Sequence, residues 1–186
     1  PLMAELLGPL FIDMVALLGQ RTAQMHGALA ASRDNPPFDP EPFSILYQRS
    51  IYQSMHALVR KNLGLLSQKS KRLPAATRSL ASEIGDAEKT ILVHLKKISR
   101  EKIATLKTRI HGDYHLGQVL YTGKDFIIMD FEGEPARPLS ERKLKYSPLK
   151  DVAGMIRSFH YAAYGTLFLN ESFRPADVRR LEPWVQ

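Results

Sequence analysis

Residues 111–118 read His111-Gly112-Asp113-Tyr114-His115-Leu116-Gly117-Gln118, and a second polar stretch, Asp130-Phe131-Glu132-Gly133-Glu134-Pro135, follows after two short apolar runs. The apolar runs, 118–121 and 126–131, are separated by Thr122-Gly123-Lys124-Asp125, which is a typical turn sequence. The pattern predicts a β-hairpin with one carboxylate before its first strand and others after its second. We therefore expect the oxygen-bearing side chains of both stretches near one edge, namely those of Asp113, Gln118, Asp130 and Glu132.

The segments around this hairpin read mainly as helices. Apolar residues recur there at steps of three and four, which predicts amphipathic helices whose stripes, including their Met and aromatic residues, pack in the core. The prolines of 33–40 predict a loop, because proline donates no backbone hydrogen bond and restricts the residue before it. The expected elements are helices over 9–32, 42–66, 74–98 and 148–169, a last helix from about 175, a strand within 104–110, and a polar loop over 132–147. The predicted fold class is α+β, mostly α with a small β-hairpin element.

The length of 186 residues suits one ordinary domain. We expect a single lobe over 1–186, made of a helical part (1–103), a loop and hairpin that bear the polar stretches (104–135), and a polar loop with C-terminal helices (136–186). The chain opens on Pro1 within an apparent helix and stops without a terminating signal. We therefore expect a fragment of a longer chain.

Composition excludes several classes of site. The chain has no cysteine, which rules out disulfides, thiolate zinc sites, iron–sulfur clusters and cysteine nucleophiles. Hydrophobic residues make up 44% and charged residues 24%, as in globular proteins with a core. The apolar stretches are too short for a membrane span and no signal peptide is evident, so we expect a cytoplasmic protein without a membrane partner.

The positive charge is concentrated in one region. The formal net charge is +7, and residues 60–109 alone hold 13 Lys and Arg against four acidic residues, a balance of +9. No aromatic residue is interleaved there and no nucleic-acid motif is present, so we expect a solvated basic face rather than a nucleic-acid partner. A basic helical interaction module remains an alternative, and salt-sensitive binding to nucleic acid would favour it.

The polar edge of the hairpin has the groups that phosphoryl transfer needs. One carboxylate is required to align the attacking hydroxyl and accept its proton, and oxygen ligands are required for Mg²⁺. An amide such as that of Gln118 can ligate through oxygen without adding negative charge. Mg²⁺ keeps several waters and shares phosphate oxygens, so two or three protein ligands suffice.

Both polar stretches together resemble the catalytic loop and metal-binding motif of the aminoglycoside-phosphotransferase and choline-kinase-like group of small-molecule kinases. Most members have Asn at the place of Gln118, and Gln there resembles the maltokinases. Two further runs also resemble maltokinases: Ser147-Pro148-Leu149-Lys150-Asp151-Val152-Ala153 and Leu18-Gly19-Gln20-Arg21-Thr22-Ala23. The specific resemblance covers roughly residues 105–165.

This resemblance implies the C-terminal lobe of a protein-kinase-like fold, with ATP and Mg²⁺ as cofactors. Its implied catalytic residues are Asp113, as base or orienting group, with His111 and His115 in the same loop; its implied metal ligands are Gln118, Asp130 and Glu132. The implied reaction phosphorylates maltose at its anomeric hydroxyl, in a protein fused to or associated with trehalose synthase. We expect His111 to position the loop and His115 to orient or pack rather than carry a proton.

Other polar residues are assigned more loosely. We expect Glu134, Arg142 and Lys145 of the polar loop to contact sugar hydroxyls. The resemblance implies that Asp151 supports the catalytic loop from the following helix. The remaining histidines show no partner spacing and are interpreted as structural: His26, His56, His94 and His160.

Alternatives remain for the acceptor and for the chemistry. Glucosamine kinases look similar through the same loop and Gln118, so an amino sugar is the closest competitor to maltose. Residues 112–115 superficially match a metallophosphatase motif, but the further segments that complete a two-metal site are not found. Nothing before residue 104 reads as a strand or a Gly-rich loop, and no Walker A loop occurs. We therefore expect the nucleotide lobe upstream and the 186-residue chain alone to be inactive or nearly so.

Overall fold

The computed structural model describes residues 8–31 and 34–169. It is mostly helical with small two-stranded sheets, the α+β class that the sequence predicts. The helices are α1 (Pro9–Leu29), α2 (Ile45–Ser70), α3 (Ala75–Asp86), α4 (Glu88–Lys96), α5 (Leu139–Arg142) and α6 (Leu149–Leu169), with 3₁₀ turns at Lys97–Ser99 and Leu116–Gln118. The strands are β1 (Glu41–Pro42), which pairs with β2 (Leu106–Lys107), and β3 (Val119–Tyr121), which pairs with β4 (Phe126–Ile128). The helix expected from about 175 lies outside the described residues.

The chain divides into two compact units, 1–41 with 106–186 and 42–105. The first unit joins the N-terminal helix to everything after residue 105, so this grouping differs from the sequence partition into 1–103, 104–135 and 136–186. Helix α1 belongs to the same unit as the hairpin, and the single lobe with these three parts stays a prediction.

In the second unit, Gln48 is the most buried side chain, at 0% exposure. Its amide donates to the carbonyls of Ile98 (2.6 Å) and Glu101 (2.8 Å), and its oxygen accepts from the Ile103 N–H (3.1 Å). A buried amide with both ends paired ties α2 to the segment that leaves α4, because unpaired it would cost stability.

Helix boundaries in this unit differ from the sequence predictions. The helix expected over 74–98 is broken at Ala87, just after the weak helix formers Gly85 and Asp86. Helix α2 continues to Ser70 because no glycine or proline interrupts the last turns before Pro74. The two-residue strand β1 was not expected, since such a short strand leaves no alternating pattern.

The first unit has its core where α1, the hairpin and α6 meet. Leu18 of α1, Tyr114 of the loop before the hairpin and Met155 of α6 form the buried cluster, and Val119, Phe126, Ile128 and Phe159 pack around them. In the hairpin, Val119 pairs with Ile128 on the core face and Leu120 with Ile127 on the opposite face. The predicted hairpin is confirmed: the strands meet the turn at the expected residues and are shorter than expected only at the open end.

Helix α6 runs very close to the loop that precedes the hairpin. A Cβ atom added to Gly154 would lie 2.8 Å from the backbone oxygen of Tyr114. Only glycine fits there without moving the loop backbone. This approach places one face of α6 directly against residues 111–116.

We expect Gly154→Ala to lower the free energy of unfolding by about 1–3 kcal/mol, because the new methyl meets a backbone oxygen rather than a flexible side chain. Gly165→Ala is the matched control in the same helix: its Cβ would meet nothing within 4 Å, so helix propensity should raise stability by up to about 1 kcal/mol. Urea unfolding of both variants measures the difference. Equal stability of the two would contradict the packing described.

Among residues 8–31 and 34–169, no helix is both long enough and apolar enough to cross a membrane.

Candidate active site

The loop that opens the first polar stretch is held by a buried carboxylate on α6. Asp151 accepts the backbone N–H of His111 at Oδ2 (2.8 Å) and that of Gly112 at Oδ1 (3.0 Å). Its side chain is 1% exposed. Such contacts are what Asp151 would need to support the backbone of residues 111–112.

His111 anchors the same loop from its other side. Its ring is 1% exposed, donates from Nε2 to the Met129 carbonyl (2.7 Å) and lies against Phe131, with ring centroids 4.9 Å apart. A buried ring engaged in this way cannot reach a substrate. The ring thus ties the start of the loop to the end of the hairpin, and the part that His111 plays in catalysis stays a prediction.

The two polar stretches meet at a pair of glycines. Gly112 has φ +88° and Gly133 has φ +76°, values that glycine adopts readily. A Cβ added to Gly112 would lie 3.3 Å from the Gly133 Cα atom. This close approach brings the backbones of the two polar stretches into contact at residues 112 and 133, as expected from the predicted hairpin.

Asp113 lies at this surface with its side chain 24% exposed. His115 is its neighbour, but the Nε2–Oδ2 distance of 3.9 Å is too long for a hydrogen bond. The His115 ring accepts the Gly117 N–H at Nδ1 (3.1 Å) and so caps the 3₁₀ turn. Asp113 is thus accessible and next to an imidazole that is already oriented by the backbone.

Gln118 and Asp130 lie together across the open end of the hairpin. The Gln118 amide nitrogen donates to Asp130 Oδ2 at 2.9 Å. Asp130 has φ +62°, a conformation that costs energy for a residue other than glycine and is common where function requires it. Glu132 is exposed two residues further on.

This donor set suits a hard cation that is only partly held by protein. In the part of the chain that is described, no three His, Asp or Glu side chains cluster closely enough to enclose a metal. Gln118 and Asp130 offer one amide and one carboxylate, and rotating the amide presents its oxygen in place of its nitrogen. Such a site fits Mg²⁺, which shares water and phosphate oxygens.

A cleft of about 510 Å³ opens beside Asp113. Its lining comes from the loop before the hairpin (Gly112, Asp113, Tyr114, His115), from Glu134, and from one face of α6 (Lys150, Asp151, Gly154, Arg157, Ser158, Tyr161). Volumes of this size are typical of small-molecule sites. Sequence reasoning missed the α6 residues other than Asp151, although their steps of three and four mark a single helix face.

Lys150 lines the cleft together with a second cation, Arg157. Its Nζ lies 4.2 Å from the centre of the Tyr146 ring. Burial lowers the Lys150 pKa below its usual value, helped by Arg137, while the carboxylates of Asp151, Glu134 and Asp113 oppose the shift. Lys150 therefore faces three carboxylates in a half-buried setting.

Of the three expected sugar contacts, only Glu134 lines the cleft. Arg142 instead donates to the carbonyls of Arg137 (2.8 Å) and Pro135 (3.0 Å), which fastens the polar loop. The Lys145 ammonium donates to the Pro36 carbonyl (2.6 Å) and to Glu41 (2.7 Å). Both cations hold backbone and loops together, so neither is placed to contact a sugar in this cleft.

Helix α1 contributes more to the site than sequence reasoning indicated. Arg21 forms a bidentate pair with Asp125 in the hairpin turn (2.7 and 2.9 Å), and this pair lowers the pKa of Asp125. The Thr22 hydroxyl lies 2.7 Å from that of Tyr114. His26 Nε2 lies 2.9 Å from Asp151 Oδ2, a partner 125 residues away that no local spacing could reveal.

Two curated glucosamine kinases are similar to this chain in sequence. One, from Streptacidiphilus jiangxiensis, is 25% identical over 178 residues, which is 92% of this chain and 36% of that protein. The other, from Mycolicibacterium smegmatis, is 42% identical over 53 residues, 28% of this chain and 13% of that protein. The relatives are therefore small-molecule sugar kinases. No family model matches the chain.

Solved structures of a glucosamine kinase have a similar fold. A crystal form of that enzyme superposes with a TM-score of 0.67 at 24% identity, covering 90% of this chain and 36% of the enzyme. Its complex with glucosamine, ADP and inorganic phosphate gives a TM-score of 0.65 at the same 24% identity, covering 91% and 36%. The chain thus spans about a third of the length of these proteins.

Proposed function

We propose that this chain is the acceptor-binding and catalytic part of an ATP-dependent sugar kinase whose acceptor is an amino sugar such as glucosamine. The observation that carries the proposal is the meeting of 111–113 with 130–133 at the two glycines. It joins the stretch that carries Asp113, which lines a sugar-sized cleft, to the stretch that begins at Asp130, the hydrogen-bond partner of Gln118. The similarity to glucosamine kinases supports the same conclusion.

In this proposal Asp113 aligns the sugar hydroxyl and accepts its proton. The sugar oxygen then forms a bond to the γ-phosphorus of ATP as the bond to the β–γ bridging oxygen breaks, giving a sugar phosphate and ADP. Gln118 and Asp130, with Glu132, would hold Mg²⁺, which when bound neutralises charge on the phosphates. His111 and Asp151 fix the loop backbone that carries Asp113.

Glu134 favours a cationic acceptor. Glu134 and Asp113 both line the cleft, and their carboxylates would accept charge-assisted hydrogen bonds from an ammonium group. Lys150 and Arg157 line the same cleft, so an acceptor there also meets positive charge. The sequence resemblance implied maltose, but the relatives found are glucosamine kinases. We therefore favour the amino-sugar alternative over maltose, and those relatives give no support to an association with trehalose synthase.

The exposed face of the hairpin is a candidate surface for the adenine ring. Leu120 and Ile127 are a cross-strand pair, 51% and 50% exposed, and Met129 continues the same face with 41% exposed. These apolar side chains lie on the strands that lead to Gln118 and Asp130. A nucleotide stacked there would have its phosphates near the proposed metal ligands.

We expect Leu120→Glu to raise the KM for ATP about tenfold or more, because a carboxylate on this face opposes both the apolar ring and the phosphates. The KM for the sugar should change less than about twofold, since the cleft lies elsewhere in the unit. Leu139→Glu is the control, being 61% exposed on α5 and distant from the hairpin strands in sequence. Steady-state kinetics of the full natural chain measure both constants, and an unchanged KM for ATP would remove this surface from the proposal.

Sugar specificity tests the proposed function as a whole. The full natural chain is incubated with ATP, Mg²⁺ and, separately, glucosamine, N-acetylglucosamine, glucose or maltose, and the sugar phosphate is followed by phosphorus NMR. We expect glucosamine to give the highest kcat/KM, by about tenfold or more over the N-acetyl compound, because acetylation removes the ammonium charge. A preference for maltose would restore the original expectation, and no sugar phosphate with any of them would refute a sugar kinase.

A further inference from the structure

The buried carboxylate of Asp151 has a third partner, and that partner comes from α1. His26 Nε2 lies 2.9 Å from Asp151 Oδ2, the same oxygen that accepts the His111 N–H. The His26 side chain is 11% exposed and that of Asp151 only 1%. Because a carboxylate can only accept, the imidazole donates its Nε2 proton in this contact.

A carboxylate this deeply buried depends on its donors. Two are the backbone N–H groups of His111 and Gly112, which belong to the loop whose geometry must be maintained. The remaining one, His26, belongs to a long helix and is independent of that loop. His26 therefore gives Asp151 a donor that does not belong to the loop that Asp151 holds.

The other polar side chains near Asp151 are engaged with other partners, which leaves His26 as its side-chain anchor. Tyr114 donates its hydroxyl proton toward Thr22 rather than Asp151, because the Thr22 hydroxyl already donates to the Leu18 carbonyl (2.8 Å). Lys150, the neighbour of Asp151 in sequence, points its ammonium over the Tyr146 ring. His111 uses its ring on the Met129 carbonyl.

We propose that His26 is a positioning residue for phosphoryl transfer: by donating to Asp151 it fixes the carboxylate that holds residues 111–112, and so sets where Asp113 points. The kinetic part of this inference rests on the proposed function. The structural part is that Asp151 couples α1 to the loop backbone. It rests only on the hydrogen bonds of Asp151 to His26, His111 and Gly112. A misplacement of a catalytic group by a fraction of an ångström is enough to slow the chemical step.

The test compares two replacements at one position in the full natural chain. His26→Leu removes the donor but keeps an apolar side chain, whereas His26→Gln keeps an N–H donor at nearly the reach of Nε2. His94→Leu is the matched control, because that ring bonds the Thr90 carbonyl of its own helix in the other unit. Hydrogen exchange of peptides covering 108–116 and steady-state kinetics are measured on all three.

With His26→Leu we expect exchange in 108–116 to be about tenfold faster, and kcat to fall about 10–100-fold with both KM values within about threefold. His26→Gln should restore most of kcat and the slow exchange.

A helix that is merely loosened would instead speed exchange throughout the first unit and would not be rescued by Gln, and that result would overturn the inference. The inference would also be overturned if His26→Leu and His94→Leu had the same exchange rates and the same kcat. If the unmodified chain phosphorylates no sugar, the proposed function fails, and the exchange arm still decides whether His26 holds the loop.

Discussion

Asp113→Asn should lower kcat of the full natural chain by about 10³-fold or more while leaving the fold intact. The amide keeps the size of the carboxylate but cannot accept the proton of the attacking hydroxyl. Its side chain is 24% exposed, so the replacement leaves no buried charge unpaired. Turnover of the favoured sugar, with a thermal melt of each protein, measures the effect and verifies folding.

Asp86→Asn provides the control, since Asp86 is an exposed acid at the end of α3 in the other unit. It should keep full activity. If Asp113→Asn retained more than about a tenth of the turnover, Asp113 would not be the residue that aligns and deprotonates the acceptor.

Asp151→Ala should be the most destabilising single change, with a loss of about 3–5 kcal/mol in the free energy of unfolding. The change leaves the backbone N–H groups of His111 and Gly112 without their acceptor inside the protein, and it also removes the partner of His26. Buried donors left in this way pay their full desolvation cost. Urea unfolding at constant pH gives the value.

Glu132→Ala serves as its comparison, because Glu132 is exposed and should change stability by no more than about 0.5 kcal/mol. The loss of stability in Asp151→Asn should lie between the losses in Asp151→Ala and Glu132→Ala. Its amide oxygen can still accept one loop N–H, but its amide nitrogen faces another donor. An Asp151→Ala protein as stable as Glu132→Ala would mean that the loop is held by something other than this carboxylate.

The parts of the fold that follow from local patterns were predictable. Helix α6 begins within a residue of the expected start and continues to Leu169, the last of the described residues, because its apolar periodicity is uninterrupted. The turn 122–125 and its flanking apolar runs were enough to predict the hairpin. The meeting of both polar stretches then followed from hairpin geometry, since the ends of paired strands lie side by side.

Contacts between distant segments were not predictable in the same way. His26 and Asp151 are separated by 125 residues, and nothing in either neighbourhood indicates the other. Arg142 and Lys145 were expected at the sugar because they follow the metal motif, but loop carbonyls and Glu41 bind them instead. Closeness in sequence is a poor guide within a long polar loop, where the backbone itself needs donors.

The most direct measurement is a structure of the full natural chain with ADP, Mg²⁺ and glucosamine. We predict that one sugar hydroxyl lies within about 3 Å of the Asp113 carboxylate, with the metal bound by Gln118 and Asp130. We also predict the ammonium group on the Glu134 side of the cleft. A sugar bound away from this cleft, or a metal held by other residues, would contradict the account.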